Sequence, residues 1–175
     1  MKKALILSAS LFLFSMPAMA SGTDDGGHDT KNTSHDQGMM TDHGHEMMTT
    51  GQPGKASQTN RTVRVEMLET EDGKMTFTPA NLKVKKGETV RFKIVNKGEL
   101  EHEFVLDTHK EIMKHKGVME KFPEMEHDDP NSIRLESGKK GDIYWNFSNT
   151  GNFEFACLVP GHYEAGMTGK ISVTK

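Results

Sequence analysis

The chain has 175 residues, with 22 Lys and Arg against 25 Asp and Glu, a formal charge of −3, and one cysteine. That balance gives no basic face of the kind nucleic-acid binding requires. A lone cysteine excludes an intramolecular disulfide, so any fold must stand on its core; in an exported protein it leaves intermolecular pairing, a free thiol or a metal ligand.

Residues 1–20 read as a secretory signal. Lys2 and Lys3 make the positive start, Ala4 to Phe14 are mostly apolar, and Ala18-Met19-Ala20 is an A-x-A cleavage site. The apolar run is too short to span a bilayer. The mature chain is therefore expected to begin at Ser21, in the periplasm, with 20 basic against 25 acidic side chains and no membrane insertion.

Ser21 to Asn60 contains no Leu, Ile, Val, Phe, Tyr or Trp. Such a segment cannot bury enough apolar surface to offset its conformational entropy, so a disordered tail is expected over 21–60. It carries His28, His35, His43 and His45 and the doublets Met39-Met40 and Met47-Met48. Thioethers suit Cu(I) and imidazoles suit Cu(II), which makes the tract a candidate for additional weak copper capture. The plainer reading of the same tract is a solvated linker.

From Arg61 the pattern changes to short β-like runs. Thr62 to Met67 alternates with period two, and Met75 to Thr78, Asn81 to Val84 and Thr89 to Val95 follow. His102 to Leu106, Ser132 to Leu135, Asp142 to Phe147, Asn152 to Ala156 and Gly169 to Val173 complete the set. Many short strands separated by turn signals predict an all-β sandwich or barrel over 61–175, and about 115 residues suffice for one such core. Thr108 to Asn131 breaks the rhythm. Ile112, Met119 and Phe122 predict a short helix ending around Pro123, followed by an acidic loop through Asp128-Asp129-Pro130. This insertion holds the i, i+4 pairs His109/Met113 and His115/Met119, with Met125 and His127 beyond them. A second copper site is one reading of those pairs; methionines packed into the core are the other.

The chemistry concentrates near the C-terminus, in Phe155-Ala156-Cys157-Leu158-Val159-Pro160-Gly161-His162-Tyr163-Glu164-Ala165-Gly166-Met167. A thiolate, an imidazole and a thioether at Cys-x4-His-x4-Met, with His102 upstream in a strand-like run, form the donor set of a mononuclear electron-transfer copper site. His102, Cys157, His162 and Met167 are the candidate metal ligands. Gly161 and Gly166 permit tight turns just before the two loop ligands. Pro160 stiffens the loop and has no N–H to offer the sulfur. Buried structural roles for Cys157 and Met167 are the alternative.

On these motifs, residues 61–175 resemble the cupredoxins, the family of plastocyanin, azurin and rusticyanin. The run from Phe153 to Met167, the Met125 to Asn131 segment and the His/Met-rich tail are similar to periplasmic copper-tolerance cupredoxins of the CopI type. The resemblance implies an antiparallel Greek-key β-sandwich with one type 1 copper, blue or green, held by His102, Cys157, His162 and Met167. The chain departs from the family at Glu103. Many members follow the first ligand histidine with Asn or Ser, whose side chain ties the ligand loops together, and an ionised carboxylate cannot donate that bond.

Two functions fit these ligands. One is copper tolerance, in which the protein binds copper and oxidises or relays it; the other is a diffusible, monomeric electron carrier that docks to a redox protein partner. Both would use an edge of His162 reaching the surface through Leu158, Val159 and Pro160. The tail favours copper tolerance, because a flexible tract of donors raises the local metal concentration near a folded site. An enzyme is not expected: four protein donors leave no open coordination position, and no Ser/His/Asp arrangement, phosphate loop or HExxH is visible.

Overall fold

The computed structural model describes residues 48–123, 125 and 128–175. The expected signal peptide, the tail as far as Met47, and His127 lie outside the described residues. The strands β1 (Gln52–Pro53), β2 (Arg61–Glu69), β3 (Met75–Thr78), β4 (Asn81–Lys85) and β5 (Thr89–Asn96) come first. They are followed by β6 (His102–Asp107), the helix α1 (His109–Met119), β7 (Ser132–Leu135), β8 (Lys140–Asn146), β9 (Gly151–Ala156) and β10 (Thr168–Thr174).

These strands form two five-stranded sheets, ordered β1-β8-β5-β2-β3 and β4-β10-β9-β6-β7. The Greek-key sandwich expected from the sequence is present, with one difference of direction. β2 pairs with β5, and β10 with β4, in parallel. The chain crosses to the second sheet at β4 and returns at β5, which arrives beside β2 running the same way.

Alternation builds the core. In β5, Val90, Phe92, Ile94 and Asn96 face inward and the residues between them are only half-buried. Phe77, Phe92, Phe104, Phe147 and Phe155 are no more than 1 % exposed, and Phe104 stacks on Phe155 with centroids 5.2 Å apart. Burying each such ring is worth roughly 1.5–3 kcal/mol, which is how a chain without disulfides holds two sheets together.

All six residues of β6 are buried, because both of its faces are covered. His102, Phe104 and Leu106 look into the sandwich, while Val105 packs with Ala156 and Leu158 beneath Ile112 and Met119 of α1. The helix starts where Thr108 Oγ1 accepts the Glu111 N–H, and Glu111 places a negative charge in the first turn, where the helix dipole favours it. Met119 is buried in this packing. His109 points elsewhere, with Nδ1 2.7 Å from Glu154.

The folded part begins earlier than Arg61. Gln52 and Pro53 pair with Asn146 and Trp145, the Gly54 N–H donates to the Tyr144 carbonyl, and Thr50 is fully buried. Asn60 Oδ1 accepts the Thr89 N–H at 2.7 Å. Backbone bonds from residues 52–54 to β8, the Asn60–Thr89 contacts and Met48 packed against the core hold this segment, and its composition, with so few apolar residues, gave no warning of it.

Candidate metal centre

His102 opens β6, on the inward face fixed by the alternation Phe104, Leu106. Cys157 directly follows β9, whose inner face carries Phe153 and Phe155. The chain then turns sharply. The His162 N–H donates to the Val159 carbonyl, the Met167 N–H to the His162 carbonyl at 3.0 Å, and the Cys157 N–H to the Met167 carbonyl at 3.1 Å. This ring of backbone bonds returns Met167 to Cys157. Gly161 at φ +87° and Gly166 at φ +95° occupy the left-handed region that the loop requires just before His162 and Met167. Two further ties fix the loop to the body: Met75 of β3 donates its N–H to the Ala165 carbonyl at 3.1 Å, and Lys116 of α1 pairs with Glu164 at 2.6 Å.

The result brings three donors together. One ligating atom each from His102, Cys157 and His162 lies within 4.8 Å of the others, and all three side chains are buried. The two Nδ1 atoms are 3.1 Å apart, and Cys157 Sγ is 3.4 Å from His162 Nδ1. Two imidazole nitrogens and a thiolate sulfur sharing an ion through bonds of about 2.0–2.3 Å would be roughly 3.5–4 Å from one another, so this triangle has the size of a metal site. Met167 is fully buried in the same core cluster as Cys157.

Electrostatics support the same reading. Burial pushes the Cys157 thiol up to about 12, against two backbone N–H groups, from Glu103 and Val159, that aim at the sulfur and favour the thiolate. The Glu103 N–H reaches Sγ at 3.3 Å. A backbone donor from Glu103 thus ties the His102 strand to the cysteine. Burial lowers the pKa of both histidines, His162 further by the neighbouring His102, so both are neutral at pH 7 and able to ligate. Two neutral imidazoles and a sulfur held by N–H donors suit a soft transition metal.

Two residues that sequence spacing did not single out frame His102. Glu69, the last residue of β2, places Oε1 2.9 Å from His102 Nε2 and accepts the Leu100 and Glu99 N–H groups. Asn96 is fully buried; its Nδ2 donates to the Leu100 and Leu135 carbonyls, and its Oδ1 accepts the Gly98 N–H. Asn96 left a sequence signal, an amide at an inward register position of an apolar strand. Glu69 left none. The expected surface rim needs correcting at Leu158, which is 1 % exposed and packed under α1. Val159 is half-buried, Pro160 is exposed and His162 is 8 % exposed.

A two-sheet sandwich with a buried His–Cys–His cluster at one end defines a mononuclear metal-binding β-protein. The profile of the copper binding proteins of the plastocyanin/azurin family matches residues 63–174. The copper-resistant cuproprotein CopI of Rubrivivax gelatinosus is 43 % identical, over 99 % of this chain and 96 % of that protein. The protein of the same name from Pseudomonas aeruginosa is 36 % identical, over 70 % of this chain and 81 % of its own. Auracyanin B shares the fold, with a TM-score of 0.57 at 22 % identity over 70 % of this chain and 95 % of its own. The chain belongs to the plastocyanin/azurin family of copper-binding proteins, and it is a cupredoxin with one copper site.

Proposed function

We propose that this protein is an exported, periplasmic copper-tolerance cupredoxin whose single type 1 copper is held by His102, Cys157, His162 and Met167. The observation that carries the reading is the convergence of the His102, Cys157 and His162 donor atoms, all from buried side chains, within 4.8 Å of one another. Copper in such a set supplies a one-electron couple. The protein's own contribution is to bind and orient. β6 and β9 deliver His102 and Cys157 from neighbouring strands, the His162–Met167 loop closes over them, and burial excludes water. With Met167 as a fourth donor no position is left for substrate, which favours binding and relay of copper over catalysis. The relatives that match most of the chain are named copper-resistant cuproproteins, and the His/Met-rich tract ahead of the domain supplies extra soft donors.

A second reading, a diffusible monomeric electron carrier, draws on the same preformed site, because a cage that moves little between oxidation states suits electron exchange with a redox partner. Titration of the purified protein with Cu(II), followed by visible absorption and EPR, tests both. An intense band saturating near one copper, with further colourless uptake, supports copper tolerance. A band saturating at one copper with nothing beyond it favours the electron carrier, and no band removes the type 1 assignment.

A further inference from the structure

We propose that Glu69 is the positioning residue of the metal centre: its carboxylate fixes the His102 ring so that Nδ1 faces the metal pocket. The inference rests on the copper reading above for the identity of the metal.

The geometry is that of a three-pronged clamp. Glu69 ends β2, in the sheet opposite β6, and its Oε1 lies 2.9 Å from His102 Nε2. The same oxygen accepts the Leu100 N–H at 3.0 Å, and Oε2 accepts the Glu99 N–H at 2.9 Å. The carboxylate thus holds the ring and also the loop that leads into it. Gly98 leaves the room, since a Cβ there would come within 2.3 Å of Glu69 Oε2. The His102 side chain is fully buried, whereas that of Glu69 is 23 % exposed. The carboxylate therefore reaches inward from the rim of the sandwich to an otherwise enclosed ring.

Chemistry then dictates the tautomer. An ionised carboxylate only accepts, and a neutral imidazole has one N–H. With Nε2 facing Glu69, the proton sits on Nε2 and the lone pair on Nδ1. That lone pair points at His162 Nδ1, 3.1 Å away on the side of Cys157. A carboxylate behind a ligand histidine raises its basicity and fixes its orientation, and losing such a partner commonly lowers metal affinity 10–100-fold. The added negative charge also favours the more highly charged metal, so Glu69 lowers the reduction potential of bound copper.

Two variants separate the roles: Glu69→Ala removes the acceptor, and Glu69→Gln keeps the size but removes the charge. In the metal-free protein, long-range ¹H–¹⁵N NMR of His102 is expected to show the Nε2–H tautomer, giving way to a mixture in Glu69→Ala. In the copper-loaded protein, Glu69→Ala should lose 10–100-fold in copper affinity, and Glu69→Gln should shift the reduction potential upward. An Nδ1–H tautomer in the wild-type protein would overturn the proposal without recourse to variants. So would an unchanged tautomer and affinity in Glu69→Ala, or an unmoved potential in Glu69→Gln. If the wild-type protein took up no copper, the functional reading would fail, while the tautomer comparison would still decide whether Glu69 sets the ring.

Discussion

His102 Nδ1 and His162 Nδ1 lie 3.1 Å apart across sixty positions of sequence, with their rings inclined at 64°. Their common third neighbour is the Cys157 sulfur. If that convergence serves a copper–thiolate bond, Cys157→Ser should abolish the intense visible band on Cu(II) addition. Circular dichroism should show the β-sandwich retained, because serine nearly matches the volume of the buried thiol. A Cys157→Ser protein that kept the band would remove the ligand assignment.

Copper uptake should release a proton. Burial holds the Cys157 thiol protonated up to about 12, while both histidines are already neutral at pH 7. A ligand that must deprotonate makes metal affinity pH-dependent. One thiol proton is therefore displaced per copper, and apparent affinity should rise about tenfold per pH unit through the neutral and mildly alkaline range. Calorimetric titration in buffers of different ionisation enthalpy counts that proton. A count of zero would mean that the thiolate is already formed in the metal-free protein.

Removal of residues 21–47, leaving the paired segment from Met48 onward in place, should preserve the visible band and lower the number of coppers bound. The segment carries four histidines and three methionines and no Leu, Ile, Val, Phe, Tyr or Trp. Unchanged stoichiometry, measured by metal analysis after equilibrium dialysis, would reduce the tract to a linker.

Asp107 faces the α1 side of β6, and burial raises its pKa. Its Oδ1 accepts the Thr108 N–H at 2.7 Å, which an asparagine can still do. A folded-state pKa above the unfolded value means that its contribution to stability is fully present below the unfolded value. That contribution is lost as pH rises through the folded value. Asp107→Asn should accordingly be more stable than wild type at pH 7, with the gap shrinking toward pH 3. Thermal melts across that range check the sign, and a variant less stable at pH 7 would contradict it.

Asn96→Ala should cost about 3 kcal/mol. The change strands the Leu135 and Leu100 carbonyls and the Gly98 N–H, and an orphaned buried group costs about 1–3 kcal/mol. Urea unfolding should show a lowered midpoint with an unchanged slope. A loss below about 1 kcal/mol would mean that water replaces the amide.

The strands were legible because alternation survives translation into three dimensions. Met75 to Thr78 and Ser132 to Leu135 form strands with the bounds their sequence suggested, and the other expected strands differ only at their ends. The His102, Cys157 and His162 cluster was equally legible, since one cysteine with a histidine five residues on leaves few alternatives. β1 was not, because its two residues are held by backbone bonds to β8. Leu158 was misplaced on the surface because an apolar residue in a ligand loop carries no mark of which neighbour will cover it. Here the cover is α1.

Sequence alone thus determined which residues supply the buried His–Cys–His cluster, their strand-and-loop placement and the sandwich class, all of which depend on local spacing and period. Only the tertiary structure decided that β2 runs parallel to β5, that α1 seals the outer face of β6, and that Glu69 stands behind His102. The reason is physical: contacts between residues 33 apart in sequence, such as Glu69 and His102, depend on how two sheets pack, and no short-range pattern encodes that packing.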